Sequence, residues 1–260
     1  MSVHPGGPAA ATRRADQPPS ALVTGASRGI GRAIAERLAA AGFSLTLSGR
    51  RPDSLEQVAR SLAGTGAELE TVAADMAAED DVRHLARRHA QRFGAMDLLV
   101  LCAGFGTSGA LADYPVHRFD RQVTVNLRNP FVLVQECLPS LRRAAAACPE
   151  RGARIVAIAS LTGVAAEPGL AAYGATKAAL ISLCQSVNVE ESAAGVSATA
   201  IAPGYVDTDM SSWVHDRIDP ADMIEPGDIA ELVVALTRLS GRAVVPSIVV
   251  ARRGDTQWRA

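Results

Sequence analysis

Lysine is almost missing from this chain: of 26 basic residues, Lys177 alone is lysine and the other 25 are arginine. A lineage-wide taste for arginine explains most of that bias, because the two exchange freely on solvated surfaces. A position that keeps a compact ammonium is one where a wide planar guanidinium could not serve. Cysteine is scarce too. Cys102, Cys137, Cys148 and Cys184 contain no CxxC pair, which argues against a disulfide framework or a thiolate metal site and for free thiols in a reducing cytoplasm. The five histidines are scattered without an HExxH run, so no metal is expected in the chemistry. Charge of one sign is also lacking. A net charge of −1 with dispersed acids and bases gives no footprint for nucleic acid or an anionic membrane, and no apolar run approaches the roughly 20 residues that cross a bilayer. Residues 1–19 hold four prolines and an arginine pair but no apolar core of a signal peptide, and are expected to be a disordered leader.

What is present is an alternation. With 48% hydrophobic residues over 260 positions, the chain can bury the core of one large α/β domain. Short β-rich runs recur at 21–24, 44–48, 68–73, 97–102, 154–159, 197–202 and 247–250, with stretches of helical period between them. Ile30, Ile34, Leu38 and Ala41 form one such stripe, and longer helices are expected over about 117–146 and 171–194. Seven strands alternating with helices predict a doubly wound, mainly parallel Rossmann-like sheet covered on both faces.

The first strand runs into Thr24-Gly25-Ala26-Ser27-Arg28-Gly29-Ile30-Gly31. A glycine turn there lets backbone approach a pyrophosphate, and the helix that follows offers unpaired N–H groups and partial positive charge. The second strand ends in Ser48-Gly49-Arg50-Arg51. An acid at this point would bind the ribose 2′-hydroxyl of NAD; arginines, joined by Arg28, suit the 2′-phosphate of NADP, which is the preferred cofactor. After the third strand, Asp75 and Met76 are candidates for the adenine, Asp75 equally for a helix cap.

Ser160 follows the fifth strand, and Tyr173 and Lys177 follow thirteen and seventeen residues later. A spacing of four sets Tyr173 and Lys177 one helical turn apart on one face. A phenol is a poor acid–base group near neutrality unless positive charge steadies its phenolate. In this reading Tyr173 exchanges a proton with a substrate oxygen, Ser160 steadies that oxygen, and Lys177 supplies charge and holds the nicotinamide ribose. Asn126 in the long middle helix is a candidate to position a relay water.

With these residues in place, the sequence resembles the short-chain dehydrogenase/reductase family, of the compact single-domain kind, over about residues 20–250. The family's TGxxxGxG turn is matched by Thr24 to Gly31, and its catalytic Asn, Ser, Tyr and Lys by Asn126, Ser160, Tyr173 and Lys177. The resemblance implies cofactor contacts from Gly25, Ser27, Arg28, Gly29, Ile30 and Gly31. It also implies contacts from Arg50, Arg51, Asp75, Met76, Ala103 and Gly104, from Tyr173 and Lys177, and from Pro203, Gly204, Val206 and Thr208. It implies one catalytic domain over residues 20–260, a substrate lid at about 207–225, and a homodimer or homotetramer. Two positions depart from the family: Leu101-Cys102-Ala103-Gly104 replaces Asn-Asn-Ala-Gly, and Val250-Ala251-Arg252-Arg253 replaces Val-Asp-Gly-Gly.

The lid's Met210, Trp213, Val214, Met223 and Ile224, with Phe105 and Val164, are expected to cover a site for a medium-sized, partly apolar ketone, aldehyde or alcohol. Two alternatives stand beside hydride transfer to such a substrate. One is reduction of 3-oxoacyl-carrier-protein or 3-oxoacyl-CoA thioesters, with Arg142 and Arg143 receiving the carrier. The other is a non-catalytic NADP-sensing scaffold.

Overall fold

The computed structural model describes residues 17–254. Residues 1–16, which make up most of the expected leader, lie outside that range. Seven strands, β1 (Ser20–Thr24), β2 (Ser44–Gly49), β3 (Leu69–Ala73), β4 (Leu98–Leu101), β5 (Ala153–Ile158), β6 (Val196–Pro203) and β7 (Ser247–Val250), form one sheet in the order β3-β2-β1-β4-β5-β6-β7. Every neighbouring pair is parallel. The expected strands agree with these to within two residues at either end.

The alternation of side chains sets the layers. Ala21 and Val23 of β1 face one core with Ile34, Leu55 and Ile229, while Leu22 faces the other with Val82, Leu133 and Leu180. Helices α1 (Gly29–Ala40), α2 (Pro52–Leu62) and α7 (Pro226–Thr237) cover the first face. Helices α3 (Glu79–Phe93), α5 (Asn129–Ala147) and α6 (Ala171–Glu191) cover the second. Burial on both faces is why β1 and β5 are continuously buried rather than alternating.

The long middle helix is interrupted. Helix α4 (Val116–Val123) passes into a π-helical turn, Thr124–Arg128, before α5 begins. Such wide turns inside helices gather at functional sites, and this one holds Asn126.

Chain order reverses between β1 and β4. At that reversal the connections leave to opposite faces and open a crevice at the carboxyl ends of the strands.

Candidate active site

The crevice is a cleft of about 740 Å³. Its floor at one end is the turn between β1 and α1. Gly25 and Gly29 sit at φ 68° and 53°, the left-handed region that favours glycine. A Cβ at Gly31 would stand 2.2 Å from the Gly25 carbonyl oxygen, so the turn closes this tightly only without a side chain. Arg28 caps α1 in extended conformation and makes no side-chain cap hydrogen bond. The first N–H groups of the helix are left for another acceptor. A pyrophosphate fits this cradle.

Thr24 joins the two central strands: its hydroxyl donates to the Val100 carbonyl at 3.1 Å and accepts from the Cys102 and Ala103 N–H groups, both at 3.0 Å. The loop that lacks the family's two asparagines is therefore tied down by threonine. Cys102 lines the cleft, yet burial pushes its thiol up to about 12, which keeps it protonated and unreactive.

Gly25, Ser27, Arg28, Gly29, Ile30 and Gly31 all line the cleft, as do Arg50, Met76, Ala103, Gly104, Pro203, Gly204, Val206 and Thr208. No acid stands at the end of β2, where Gly49 gives way to Arg50 and Arg51. Arg50 lines the cleft, whereas Arg51 is the exposed residue that precedes α2 and does not. Asp75 does not line it either. Its Oδ1 accepts the Ala77 N–H at 2.9 Å, closing a turn just ahead of Ala78, which caps α3 with no side-chain hydrogen bond, so Asp75 is not the cap of that helix.

The other end of the cleft is built from β5 and α6. Ser160 follows β5, and its Oγ accepts from the Thr162 N–H at 3.2 Å and the Thr162 hydroxyl at 2.9 Å. Helix α6 lies against this turn because two glycines allow it: a Cβ at Gly174 would stand 2.7 Å from the Thr162 carbonyl oxygen, and one at Gly163 would stand 2.7 Å from the Lys177 carbonyl carbon. That contact brings Tyr173 within hydrogen-bond reach of Ser160.

Lys177 is buried. Its ammonium donates to the Ile158 carbonyl at 2.7 Å and lies 5.6 Å from the centre of the Tyr173 ring. Burial pushes Tyr173 up to about 12, with the Ser160 hydrogen bond acting against it, and lowers Lys177 to about 8. Desolvation, more than charge, sets both groups. Tyr173 is thus a protonated phenol at neutral pH, and Lys177 a cation poised to lose its proton slightly above it.

Asn126 stands behind the cleft wall, fully buried. Its Oδ1 accepts the Phe105 N–H at 2.8 Å, and its Nδ2 donates to the Phe105 carbonyl at 2.7 Å and to Thr176 Oγ1 at 3.1 Å. With its amide engaged on both sides, Asn126 is a clamp on the loop after β4.

The lid also divides. Met210 and Trp213 line the cleft and are about half exposed, but Val214, Met223 and Ile224 are buried. Ile224 packs into the core beside Val206, held by a bridge between those two residues. Phe105 lines the cleft, whereas Val164 does not and is exposed. Arg142 and Arg143, candidates for receiving a carrier, are engaged locally. Arg142 makes a two-pronged pair with Glu191 at 2.8 and 2.6 Å, and Arg143 donates to the Gly94 carbonyl at 2.9 and 2.6 Å.

Sequence reasoning missed Glu167 and Arg121, both on the cleft wall. Neither falls in a spaced motif. Tyr205, also on the wall, did have a signal, since it sits inside the segment from Pro203 to Thr208. Among the described residues no group of three or more His, Cys, Asp or Glu is arranged to hold a metal ion, and no helix is long and apolar enough to cross a membrane.

Residues 19–218 match the short chain dehydrogenase family. An uncharacterised oxidoreductase of Staphylococcus epidermidis is 35% identical over 221 residues, 85% of this chain and 91% of that one. A 3-oxoacyl-[acyl-carrier-protein] reductase of the same organism is 33% identical over 200 residues, 76% of this chain and 80% of that protein. Among solved structures, an alcohol dehydrogenase of the archaeon Thermococcus sibiricus, complexed with 5-hydroxy-NADP, superposes with a TM-score of 0.82. It is 28% identical, and the match spans 92% of this chain and 98% of that one.

Proposed function

The chain belongs to the short chain dehydrogenase family of oxidoreductases, and we propose that it transfers a hydride between NADP(H) and a carbonyl or alcohol, with Tyr173 as acid and base. The observation that carries this reading is convergence: Ser160, Tyr173 and Lys177 meet in the cleft whose far end is the glycine cradle.

NADP(H) would be held by the α1 amino terminus, by Arg28 and Arg50 at the 2′-phosphate, and by Lys177 at the nicotinamide ribose; bound there, it supplies or takes up the hydride. The absence of an acid after β2 favours the phosphorylated dinucleotide. The Thermococcus sibiricus enzyme, solved with 5-hydroxy-NADP, supports the same choice.

The chain's own part is proton handling. Tyr173, protonated at neutral pH, hands its proton to the substrate oxygen in the reductive direction, and Ser160 steadies that oxygen as charge develops. Lys177, charged below about pH 8, favours the phenolate left behind. The catalytic unit is the single domain from residue 20 onward, acting as a homodimer or homotetramer in the cytoplasm. Unpaired Cys102, Cys137, Cys148 and Cys184 suit that compartment.

A second reading, reduction of 3-oxoacyl thioesters, has the 33% identity to the carrier-protein reductase in its favour. The local engagement of Arg142 and Arg143 weighs against it. Initial rates with NADPH and NADH over a panel of ketones, aldehydes and a 3-oxoacyl thioester test both. NADPH should exceed NADH at least tenfold in kcat/KM; equal use of NADH would reject the arginine reading, and a hundredfold preference for the thioester would favour the second one.

A further inference from the structure

The loop after β4 carries a hydroxyl that neither the cofactor reading nor the proton chemistry uses. Gly106 and Gly109 let this loop run beneath two tyrosine rings: a Cβ at Gly106 would stand 2.9 Å from Tyr173 Cδ2, and one at Gly109 would stand 2.9 Å from Tyr114 Cδ2. The Gly109 N–H donates to the Gly169 carbonyl at 2.9 Å, which ties the loop to the segment ahead of α6. Thr107 stands between the two glycines, next to the backbone on which the Tyr173 ring rests. It is partly buried and lines the cleft.

Three side chains form a line that ends on this threonine. Gln122 of α4, fully buried, donates from Nε2 to the Tyr114 hydroxyl at 2.5 Å. The phenol oxygen lies 2.5 Å from Thr107 Oγ1 and 3.3 Å from the Thr107 carbonyl oxygen. What each group can do sets the direction. An amide NH2 only donates, so the phenol accepts from Gln122, and its single hydrogen goes to the nearer of its two acceptors, Thr107 Oγ1. Accepting from the amide makes the phenol a stronger donor in turn. Gln122 Oε1 is buried without a partner among the described residues. Turned the other way, the amide would instead bury its NH2 without an acceptor, and an orphaned N–H is the rarer defect. With its oxygen engaged by the phenol, Thr107 keeps its own hydrogen. Among the described residues its hydroxyl has no bond besides the one to Tyr114, so that hydrogen is left for an acceptor in the cleft.

We propose that Thr107 is a specificity-determining residue whose hydroxyl, aimed by Tyr114 and Gln122, donates a hydrogen bond to a second oxygen of the substrate, beside the one that Tyr173 serves. The substrate class is then a carbonyl compound or alcohol with a further acceptor oxygen close to the reacting carbon, such as an oxo-ester, a dicarbonyl or a keto-ether. A site built to hydrogen-bond its substrate discriminates against the analogue that lacks the partner, because the site's own polar group is then left unpaired. The inference rests on the carbonyl-reduction reading above and narrows it.

The test uses the full chain with NADPH and three ketones of equal chain length: an oxo-ester, a keto-ether and a plain aliphatic ketone. The quantity read is kcat/KM for each oxygenated ketone divided by that for the plain one, compared between variants so that the ketones' own reactivities cancel. Thr107→Val, which keeps the shape and loses the donor, should lower that ratio by about fivefold to tenfold, the worth of one hydrogen bond. Thr107→Ser, which keeps the hydroxyl, should hold it within twofold. Tyr114→Phe should lower it at least threefold while NADPH binds within twofold of wild type. A ratio unchanged within twofold in Thr107→Val or in Tyr114→Phe overturns the proposal, as does a wild type that prefers the plain ketone. The corresponding three alcohols, titrated calorimetrically into the NADP-loaded protein, report the same comparison as a ratio of Kd values. If no ketone is turned over while the Kd ratio still depends on Thr107, the redox reading fails and the donor stands; turnover with ratios indifferent to Thr107 keeps the redox reading and removes the donor.

Discussion

Lys177 is the sole amine side chain in 260 residues, which makes its protonation measurable in isolation. Burial disfavours the ammonium and brings its pKa down to about 8, so the group is charged below that pH and neutral above it. Protein labelled at lysine should show one side-chain resonance titrating near 8, and kcat/KM for carbonyl reduction should fall as pH rises through the same value. A titration near 10.5 with no break in the kinetic profile would mean the ammonium is solvated. At the other end of the cleft, Arg50 is the residue set to discriminate dinucleotides. Arg50→Ala should weaken NADPH about tenfold to a hundredfold, the worth of a charge-assisted hydrogen bond, while NADH binding moves less than twofold. Fluorescence titration of both cofactors reads this, and parallel weakening would count against a 2′-phosphate contact. These residues were legible because each occupies a slot in a spaced motif. Glu167 was not, since a carboxylate on a loop carries no periodic signature, and neither was the engagement of Asp75, because an acid that closes a turn and an acid that meets adenine look alike in sequence.

Glycines decide how closely the elements approach. Gly31 lets α1 start against the Gly25 carbonyl, where a Cβ would stand 2.2 Å from the oxygen, a separation no relaxation of a side chain can relieve because both partners are backbone. Gly31→Ala should therefore lower the melting temperature and abolish the further rise that NADP gives the wild type. Gly227→Ala, in the first turn of α7 where an added Cβ meets nothing within 4 Å, should leave both within about a degree. Differential scanning fluorimetry with and without NADP compares them; equal behaviour of the two variants would contradict the close-packed turn. The strands were readable because a parallel sheet buried on both faces writes continuous apolar runs between glycine-rich turns. The π turn was not. Helical periodicity continues through 116–147, and a five-residue widening at Thr124–Arg128 leaves the apolar stripe almost unchanged while turning Asn126 onto the Phe105 backbone. The division of the lid was hidden for a similar reason, since Met210 and Trp213 over the cleft and Val214, Met223 and Ile224 in the core are all apolar.

At the scale of the whole molecule, the fold has an acid-sensitive point inside it. His89 is fully buried between α3 and β2. Its Nε2 donates to the Ala95 carbonyl at 3.3 Å and its Nδ1 accepts from the Thr46 hydroxyl at 2.8 Å, which requires the neutral ring. Burial lowers its pKa to about 4. The unfolded chain takes up the proton near 6.5 and the folded one near 4, so the stabilisation is complete above 6.5 and is lost as pH falls between those values. At most roughly 3 kcal/mol is involved. Urea unfolding at pH 7 and pH 4.5 should show the wild type losing about 2 kcal/mol more than His89→Gln; identical losses would place the acid sensitivity elsewhere. Assembly belongs to this scale as well. Phe119, Phe131 and Val189 are exposed on α4, α5 and α6, and such apolar positions suit a face shared between copies. Light scattering should give a dimer or tetramer mass, and a monomer at micromolar concentration would refute it. The central claim, that the phenol of Tyr173 moves a proton beside a bound dinucleotide, is tested most directly by single-turnover NADPH oxidation in Tyr173→Phe with the best carbonyl of the panel. The variant should bind NADPH within threefold of wild type while its chemical step slows at least a thousandfold; an unslowed step, or a wild type that binds NADPH tightly yet oxidises it with none of the carbonyls, would contradict the role of Tyr173.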